Sequence, residues 1–256
     1  MMEKSFSSNN NEELPDTNTV KAVAADADFA GIAESYKRIV ENIGKAMLRA
    51  GRTDNVRLMA VTKTVPYEKV NFAASLGVDL LGENRVQEFL GKYDFYDKNC
   101  EIHFIGGLQS NKVKYITDKV SMIHSVDSVK LAAEIDKRAL AVGKVIDILI
   151  EVNIGREESK GGVLCEELDE LVSFCFSLLG ARLRGFMAIP PPALNGGNEK
   201  YFELMERIYR DYRLKYGGID TLSMGMSQDY ERAVLYGSNI VRVGSALFGK
   251  RKYKEA

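Results

Sequence analysis

Eight short apolar segments alternate with amphipathic segments between residues 58 and 243. Each apolar segment has the length of a buried strand, whereas the segments between them repeat their apolar positions at helical spacing. The predicted strands are Leu58–Thr62, Leu80–Glu83, Ile102–Ile105, Met122–Val126, Ile146–Val152, Leu183–Ala188, Thr221–Met224 and Ile240–Val243. Eight strands that alternate with helices over this length predict an α/β fold, a single closed (β/α)8 TIM barrel.

The segments between the strands carry helix signals. The pair Asp127-Ser128, for example, stands where an aspartate or serine caps the first turn of a helix. The predicted helices are Tyr67–Leu76, Asn84–Tyr93, Asn111–Ile116, Ser128–Ala141, Leu164–Leu178, Lys200–Tyr216 and Gln228–Tyr236. The same alternation also fits an open doubly wound sheet. However, no predicted strand is followed by the GxGxxG fingerprint of a dinucleotide-binding sheet, which favours the barrel.

An extra helix precedes the barrel. Apolar positions recur at helical spacing from Phe29 to Ala50, and Gly51 suits a left-handed helix end. Residues 1–28 are rich in polar residues and alanine, which predicts a flexible extension with a short helix near Val20–Ala25. We therefore predict an extension over 1–28 and one barrel domain over 29–256. The basic tail after residue 249 is predicted to be a solvated helix end.

Composition restricts the partners of this chain. Its formal net charge of −1 indicates neither nucleic acid nor an anionic membrane surface as a partner. No apolar run reaches the length of a membrane span, and the amino terminus lacks the pattern of a secretory signal. The 3 cysteines lack metal-ligand spacing, so no metal site is predicted. Unpaired cysteines fit the reducing cytoplasm, which is the expected location.

A lysine stands directly after the first buried strand, in the stretch RLMAVTKTVP of residues 57–66. An ammonium group at the carboxyl end of a buried strand must be hydrated, paired or neutralised. A lysine whose pKa is lowered there is an amine nucleophile that forms a Schiff base with a carbonyl. The alternative is that Lys63 only extends to the barrel rim and is solvated there.

The last quarter of the chain predicts an anion site on the same rim. Ser227 precedes a predicted helix, as an N-cap residue does, and the free N–H groups of a first helical turn bind anions. Gly244-Ser245 follows the last strand and offers further N–H groups and a hydroxyl. Barrels often hold a phosphate between the loops after strands seven and eight. Taken singly, these residues also fit an ordinary capping serine and a tight turn.

An amine nucleophile and a phosphate site on one rim together fit pyridoxal 5′-phosphate (PLP). Arg242, on the last strand, would then face the pyridine nitrogen. A guanidinium is a hydrogen-bond donor only, whereas most PLP enzymes place a carboxylate at that nitrogen. This difference predicts weak carbanion chemistry. A long loop that begins with Pro190-Pro191-Pro192 lies on the same face.

Seven motifs occur in the order found in a known family: AVTKTVP, LGENRVQE, IHFIGGLQSNK, HSVDS, LRGFMAI, SMGMSQDY and VRVGSALFG. The sequence from Phe29 to Arg251 resembles the YggS/PROSC family of pyridoxal-phosphate-binding homeostasis proteins. This resemblance implies a barrel of the alanine racemase N-terminal type, with PLP bound as a Schiff base to Lys63. It implies the further cofactor-binding residues Ser227, Gly244 and Ser245 at the phosphate, Arg242 at the ring nitrogen, and Asn84 and Met224 along the ring.

A weaker resemblance to alanine racemase bears on activity. That enzyme uses a second base, a tyrosine from a C-terminal β-domain across a dimer, and this chain is expected to lack that domain. We therefore expect a monomeric PLP carrier that acts in vitamin B6 homeostasis and in amino-acid and keto-acid balance, without catalytic residues or turnover. The alternatives are a weakly active PLP-dependent amino-acid racemase or lyase, and a barrel enzyme whose lysine forms a Schiff base with a phosphosugar.

Two histidines and one loop have other predicted roles. His103 and His124 lie within strand patterns and are expected to be hydrogen-bonded barrel residues rather than catalytic bases. Glu157, Glu158 and Lys160 follow the fifth strand, where a solvated loop is expected and a gate over the pocket is the alternative.

Overall fold

The computed structural model describes residues 27–192 and 197–249. Its strands are β1 (Arg57–Val61), β2 (Leu80–Glu83), β3 (Glu101–Phe104), β4 (Met122–Val126), β5 (Ile146–Val152), β6 (Ala181–Ala188), β7 (Thr221–Ser223) and β8 (Ile240–Val243). Its helices are α1 (Ala27–Arg49), α2 (Tyr67–Ser75), α3 (Val86–Lys92), α4 (Val129–Ala141), α5 (Leu168–Cys175), α6 (Glu199–Lys215), α7 (Tyr230–Leu235) and α8 (Ser245–Phe248). Short 3₁₀ helices span Tyr93–Phe95, Ser110–Tyr115 and Cys165–Glu167.

The eight strands close into a parallel barrel in chain order. β8 pairs with β1, so that Met59 lies beside Arg242 and Ala60 beside Val243. This closure confirms the predicted (β/α)8 barrel and is incompatible with the open doubly wound sheet. The predicted helix near Val20–Ala25 and the basic tail lie outside the described residues.

Both faces of the barrel wall are mainly apolar, because a parallel sheet covered by helices is buried on both sides. Outward-facing side chains such as Ala60, Leu81 and Ile123 belong to the large core between the strands and the helices. Inside the barrel, one cluster contains Met59, Val61, Leu80, Ile105 and Ile240, and another contains Met122, Leu149 and Met187. The interior also buries polar side chains, which connect to the site described below.

The extra helix predicted before the barrel is α1, which packs against α7 and α8. On α1, Asn42 donates hydrogen bonds to the Tyr230 hydroxyl at 3.1 Å and to Glu231 at 2.9 Å. At its beginning, Asp28 pairs with Lys69 at 2.6 Å. The helix therefore supports the wall that follows β7 and β8.

Two segments differ from the predicted helices. The segment after β3 forms a 3₁₀ helix over Ser110–Tyr115 rather than an α-helix. Just after this helix, the Thr117 hydroxyl donates a hydrogen bond to the Val113 carbonyl at 2.7 Å. The last short helix, Ser245–Phe248, was not predicted, because four residues are too few to show a helical period.

Candidate functional site

A cavity of about 490 Å³ opens at the carboxyl ends of the strands, the face on which (β/α)8 barrels carry their active sites. We call it the mouth cavity. Val61, Ile105 and Ile189 belong to the apolar part of its lining. It also contains six of the seven site residues predicted from the sequence: Lys63, Asn84, Ser227, Arg242, Gly244 and Ser245.

The seventh predicted residue, Met224, lies elsewhere. Its side chain is fully buried in the core outside the barrel, because Ser223 before it points inward and successive side chains of a strand alternate. Gly225 then turns the chain with a φ of 91°, and a Cβ there would come within 2.4 Å of Ala233. Beyond this turn, Met226 lines the mouth cavity. The prediction that Met224 lines the site is therefore corrected to Met226.

Lys63 stands in a strained turn directly after β1. The next residue, Thr64, has a φ of 62°, in the left-handed region, which costs a non-glycine residue about 1 kcal/mol. The carboxylate of Glu88 accepts a hydrogen bond from the Thr64 N–H at 2.5 Å. The Lys92 ammonium donates to the Thr62 carbonyl at 2.9 Å. Two side chains of α3 thus hold the turn that carries Lys63.

A buried carboxyl group supports the same turn. Glu83, at the end of β2, accepts hydrogen bonds from the Thr62 hydroxyl at 2.7 Å and from the Tyr96 hydroxyl. Burial raises the pKa of Glu83, and the Lys92 ammonium at 3.7 Å opposes that rise. Its other oxygen has no hydrogen-bond partner among the described residues, which fits a carboxyl group that retains its proton to higher pH.

Asn84 brings an unsatisfied polar atom to the mouth cavity. Its Oδ1 is buried and has no hydrogen-bond partner in the described part of the chain. Its backbone packs against Gly106, where a Cβ would come within 2.1 Å of the Asn84 carbonyl oxygen, so only glycine fits. A buried amide oxygen without a partner is costly, and a bound molecule with a donor would remove that cost.

Ser227 joins the two loops that follow β7 and β8. Its hydroxyl oxygen accepts hydrogen bonds from the N–H groups of Gly244 at 3.2 Å and Ala246 at 3.1 Å. The sequence suggested that Ser227 is an N-cap residue, but Ser227 is not the N-cap of α7. The cap position belongs to Asp229, whose carboxylate accepts the Met226 N–H at 2.7 Å.

Several backbone N–H groups beside this contact have no acceptor. Those of Ser227, Gln228 and Ser245 donate to no other described residue. All three residues line the mouth cavity. Adjacent unpaired N–H groups form a concave anion-binding site, so this side of the cavity suits a phosphate or carboxylate.

Arg242 crosses the upper interior of the barrel and is only 4% exposed. Its Nη1 donates to the carbonyl and the hydroxyl of Ser223, both at 2.7 Å, and its Nη2 donates to the Ala188 carbonyl at 2.9 Å. Burial lowers the pKa of Arg242 to about 10, against the attraction of the Glu151 carboxylate. The guanidinium is therefore still charged near neutral pH, and it is held in place as a donor.

Sequence reasoning missed three polar residues of this region. Glu151 is an acidic residue within an apolar strand, and burial raises its pKa to about 6 while Arg242 opposes the rise. Arg232 and Asn198 line the mouth cavity and are hydrogen-bonded to each other. The acidic residue within the apolar strand β5 was the one sequence signal that could have pointed to this region. Arg232 and Asn198 gave no such signal, because only the fold brings them together.

Other clefts among the described residues differ from the mouth cavity. Larger clefts of about 620 and 570 Å³ lie near Arg213 and near Asp147, and both are lined by charges of either sign. Within the described ranges, no group of three or more His, Cys, Asp or Glu residues is placed to hold a metal ion. No helix in those ranges is long and apolar enough to cross a membrane.

Comparisons with known proteins agree with this geometry. The alanine racemase N-terminal domain family matches residues 35–252. The pyridoxal phosphate homeostasis protein of Aquifex aeolicus (strain VF5) is 47% identical over 227 residues, which cover 86% of this chain and 98% of that protein. The chain belongs to the family of pyridoxal phosphate homeostasis proteins. The pyridoxal phosphate homeostasis protein of Escherichia coli (strain K12) is 36% identical over 232 residues, with 88% and 98% covered.

A solved structure of a relative extends the comparison to the fold. PipY of Synechococcus elongatus PCC7942, solved with PLP bound, is 30% identical with a TM-score of 0.72, and the match covers 85% of this chain and 100% of that one. Membership of the pyridoxal phosphate homeostasis protein family, indicated by the motifs, is thus confirmed. The barrel of alanine racemase N-terminal type is confirmed with it.

Proposed function

We propose that this protein binds PLP as a Schiff base on Lys63 and acts in PLP homeostasis. The observation that carries the proposal is that one cavity contains the Lys63 amine and the unpaired N–H groups of Ser227 and Ser245. An aldehyde and a phosphate on one small molecule match those two functions. The names of the relatives and the PLP in PipY support the same ligand.

The residues present fit the cofactor. Ser227, Gly244 and Ser245 would hold its phosphate, since they surround N–H groups without an acceptor. Arg242 would meet the ring nitrogen as a donor, because its guanidinium is fixed by three buried acceptors. Asn84, whose buried Oδ1 lacks a partner, would line the ring, and Met226 takes the place predicted for Met224.

The same residues favour storage of the cofactor over catalysis. When bound, PLP supplies an aldehyde that captures amines and a ring that withdraws electrons from them. Arg242 cannot accept a hydrogen bond from a protonated ring nitrogen, and a donor beside an unprotonated nitrogen leaves the ring a weaker electron sink. We therefore propose a carrier without turnover, which affects amino-acid and keto-acid balance. Residues 29–256 are its PLP-binding domain, and it acts as a monomer in the cytoplasm.

Absorbance and mass spectrometry test the attachment. The protein incubated with PLP is expected to become yellow, and borohydride reduction is expected to leave a pyridoxyl adduct on the peptide that contains Lys63. Lys63→Ala is expected to remove both signals. Lys112→Ala is the matched control, since Lys112 is half-buried in the neighbouring cleft beside Asn84. Colourless wild-type protein, or an adduct on another lysine, would overturn the proposal.

Proton exchange tests the absence of turnover. The PLP-loaded protein is incubated in heavy water with L-alanine, D-alanine or L-serine, and the α-proton is followed by NMR. Exchange no faster than with free PLP is expected. Rapid exchange would contradict the carrier function and favour the alternative, a PLP-dependent racemase or lyase.

A further inference from the structure

A continuous row of buried side chains passes through the barrel interior from β8 to β3. Arg242 Nη1 donates to the Ser223 hydroxyl at 2.7 Å, and that hydroxyl lies 3.1 Å from His124 Nδ1. His124 Nε2 lies 2.9 Å from His103 Nδ1. His103 Nε2 lies 2.9 Å from Glu101 Oε1. We call these five residues the interior relay.

For neutral histidine rings, the two ends of the interior relay decide the direction of every hydrogen bond in it. A guanidinium can only donate, so Arg242 leaves the hydroxyl proton of Ser223 available for His124 Nδ1. At the other end, Glu101 also accepts from Arg57 at 2.5 Å and from Ser121 at 2.9 Å. Its pKa is held well below the usual range, chiefly by the hydrogen bond with His103, so it is an ionised acceptor.

Each neutral histidine therefore accepts at Nδ1 and donates at Nε2. His103 donates from Nε2 to the Glu101 carboxylate, which leaves its Nδ1 to accept from His124 Nε2–H. Both rings are almost completely buried, and burial lowers the pKa of each. The charged groups that act on their pKa values are Glu101, Arg57 and Asp147 for His103, and Arg242 for His124. Neutral rings with this tautomer give all four ring nitrogens of the two histidines a partner.

We propose that Ser223, His124, His103 and Glu101 are positioning residues for Arg242. They hold its guanidinium as a fixed donor in the mouth cavity, through an unbroken donor-to-acceptor row in which both histidines are neutral and carry their proton on Nε2. The statement that this donor faces PLP rests on the proposed function. The hydrogen-bond arrangement of the interior relay does not rest on it, so the arrangement and the contact with PLP are tested separately.

The first test needs no PLP. The chain has 2 histidines, so ¹⁵N-labelled histidine gives only two ring spin systems in NMR. Both rings are expected to carry a proton on Nε2 alone, without a change between about pH 6 and about pH 8. A proton on Nδ1 of either ring, or an ordinary titration near pH 6.5, would overturn the relay whatever the protein binds.

The second test links the relay to the cofactor. Ser223→Ala removes the hydroxyl between Arg242 and His124, but leaves the backbone acceptors of Arg242 at Ser223 and Ala188. We expect the His124 Nδ1 resonance to shift and PLP to be released about tenfold faster, as for a lost hydrogen bond to a charged group. The absorbance band of bound PLP is expected to shift as well.

Ser238→Ala is the matched control. Ser238 is equally buried and near the same strands, and its hydroxyl bonds to backbone groups such as the Met224 carbonyl at 2.8 Å, outside the relay. It is expected to lose stability without altering the histidine resonances or PLP release. Equal effects of both variants on PLP would overturn the positioning role. A shifted His124 resonance in Ser223→Ala, with no PLP bound by wild type, would support the relay and contradict the proposed function instead.

Discussion

The hydroxyl oxygen of Ser227 accepts a hydrogen bond from the N–H of Gly244, 3.2 Å away, and so ties the loop after β7 to the loop after β8. The same oxygen accepts the Ala246 N–H. Two loops that are distant in the sequence are thereby held at a separation that leaves other N–H groups open to the mouth cavity. Ser227 therefore organises the proposed anion site in addition to lining the mouth cavity.

Replacing Ser227 tests this arrangement. Ser227→Ala removes the acceptor of two backbone N–H groups, so we expect the dissociation constant of PLP to rise about tenfold. The free energy of unfolding is expected to fall by about 1 kcal/mol. Fluorescence titration and urea unfolding measure the two effects. Ser128→Ala is the control, since this serine caps α4 by accepting the Leu131 N–H, and its loss costs about 1 kcal/mol without changing PLP affinity. Unaltered affinity in Ser227→Ala would place the phosphate elsewhere.

The geometry of Arg242 predicts that a lysine cannot replace it. Arg242→Lys keeps the positive charge but loses the planar fork that reaches Ser223 and Ala188 together. We expect the unfolding free energy, measured by urea denaturation, to fall by about 2 kcal/mol because a buried acceptor loses its partner. Arg210→Lys, on the exposed face of α6, is expected to change it by less than about 0.5 kcal/mol. Equal stabilities of the two variants would show that the fork is dispensable.

Glu151 predicts a pH dependence of stability. Its pKa is about 6 in the folded protein against an ordinary 4.5, chiefly because of burial. Between these values the folded protein holds a proton that the unfolded chain has released, so stability falls as the pH rises through this window and is then constant. Glu151→Gln removes this loss of folding stability, because glutamine does not titrate. We expect the variant to gain up to about 2 kcal/mol near pH 7.5 and almost nothing near pH 4.5.

Urea unfolding of both proteins at these two pH values measures the Glu151 effect. Glu170→Gln, an exposed substitution on α5, controls for the change in net charge. A gain in Glu151→Gln that is the same at both pH values would contradict burial of a titrating carboxyl group.

The buried contact between Tyr96 and Glu83 predicts a role in supporting the Lys63 turn. Tyr96→Phe removes one hydrogen bond from a carboxyl group that is inaccessible to solvent, which costs about 1 to 3 kcal/mol in thermal or urea unfolding. Tyr115→Phe, at an exposed site, is expected to be neutral. Indistinguishable melting of the two variants would mean that Glu83 finds another partner when Tyr96 is absent.

The strands and the rim residues were predictable for a simple reason. A buried strand of a barrel is a short apolar run, and parallel strands bring their carboxyl ends to one rim. Lys63, Asn84 and Arg242 could therefore be assigned to one rim from the sequence alone. Met224 could not be separated from Met226, because the left-handed turn at Gly225 decides which methionine faces the cavity.

The sequence by itself determined the family and the barrel and predicted the lysine with its anion site, since each depends on local pattern or on motifs read in order. Only the tertiary structure decided that Ser227 joins two loops and that His103, His124, Ser223 and Arg242 form one row. These residues are far apart along the chain, and they meet because closure of the sheet turns alternate side chains toward a common interior. Hydrogen bonds have definite directions and lengths, so their partners depend on that closure and cannot be derived from residue spacing.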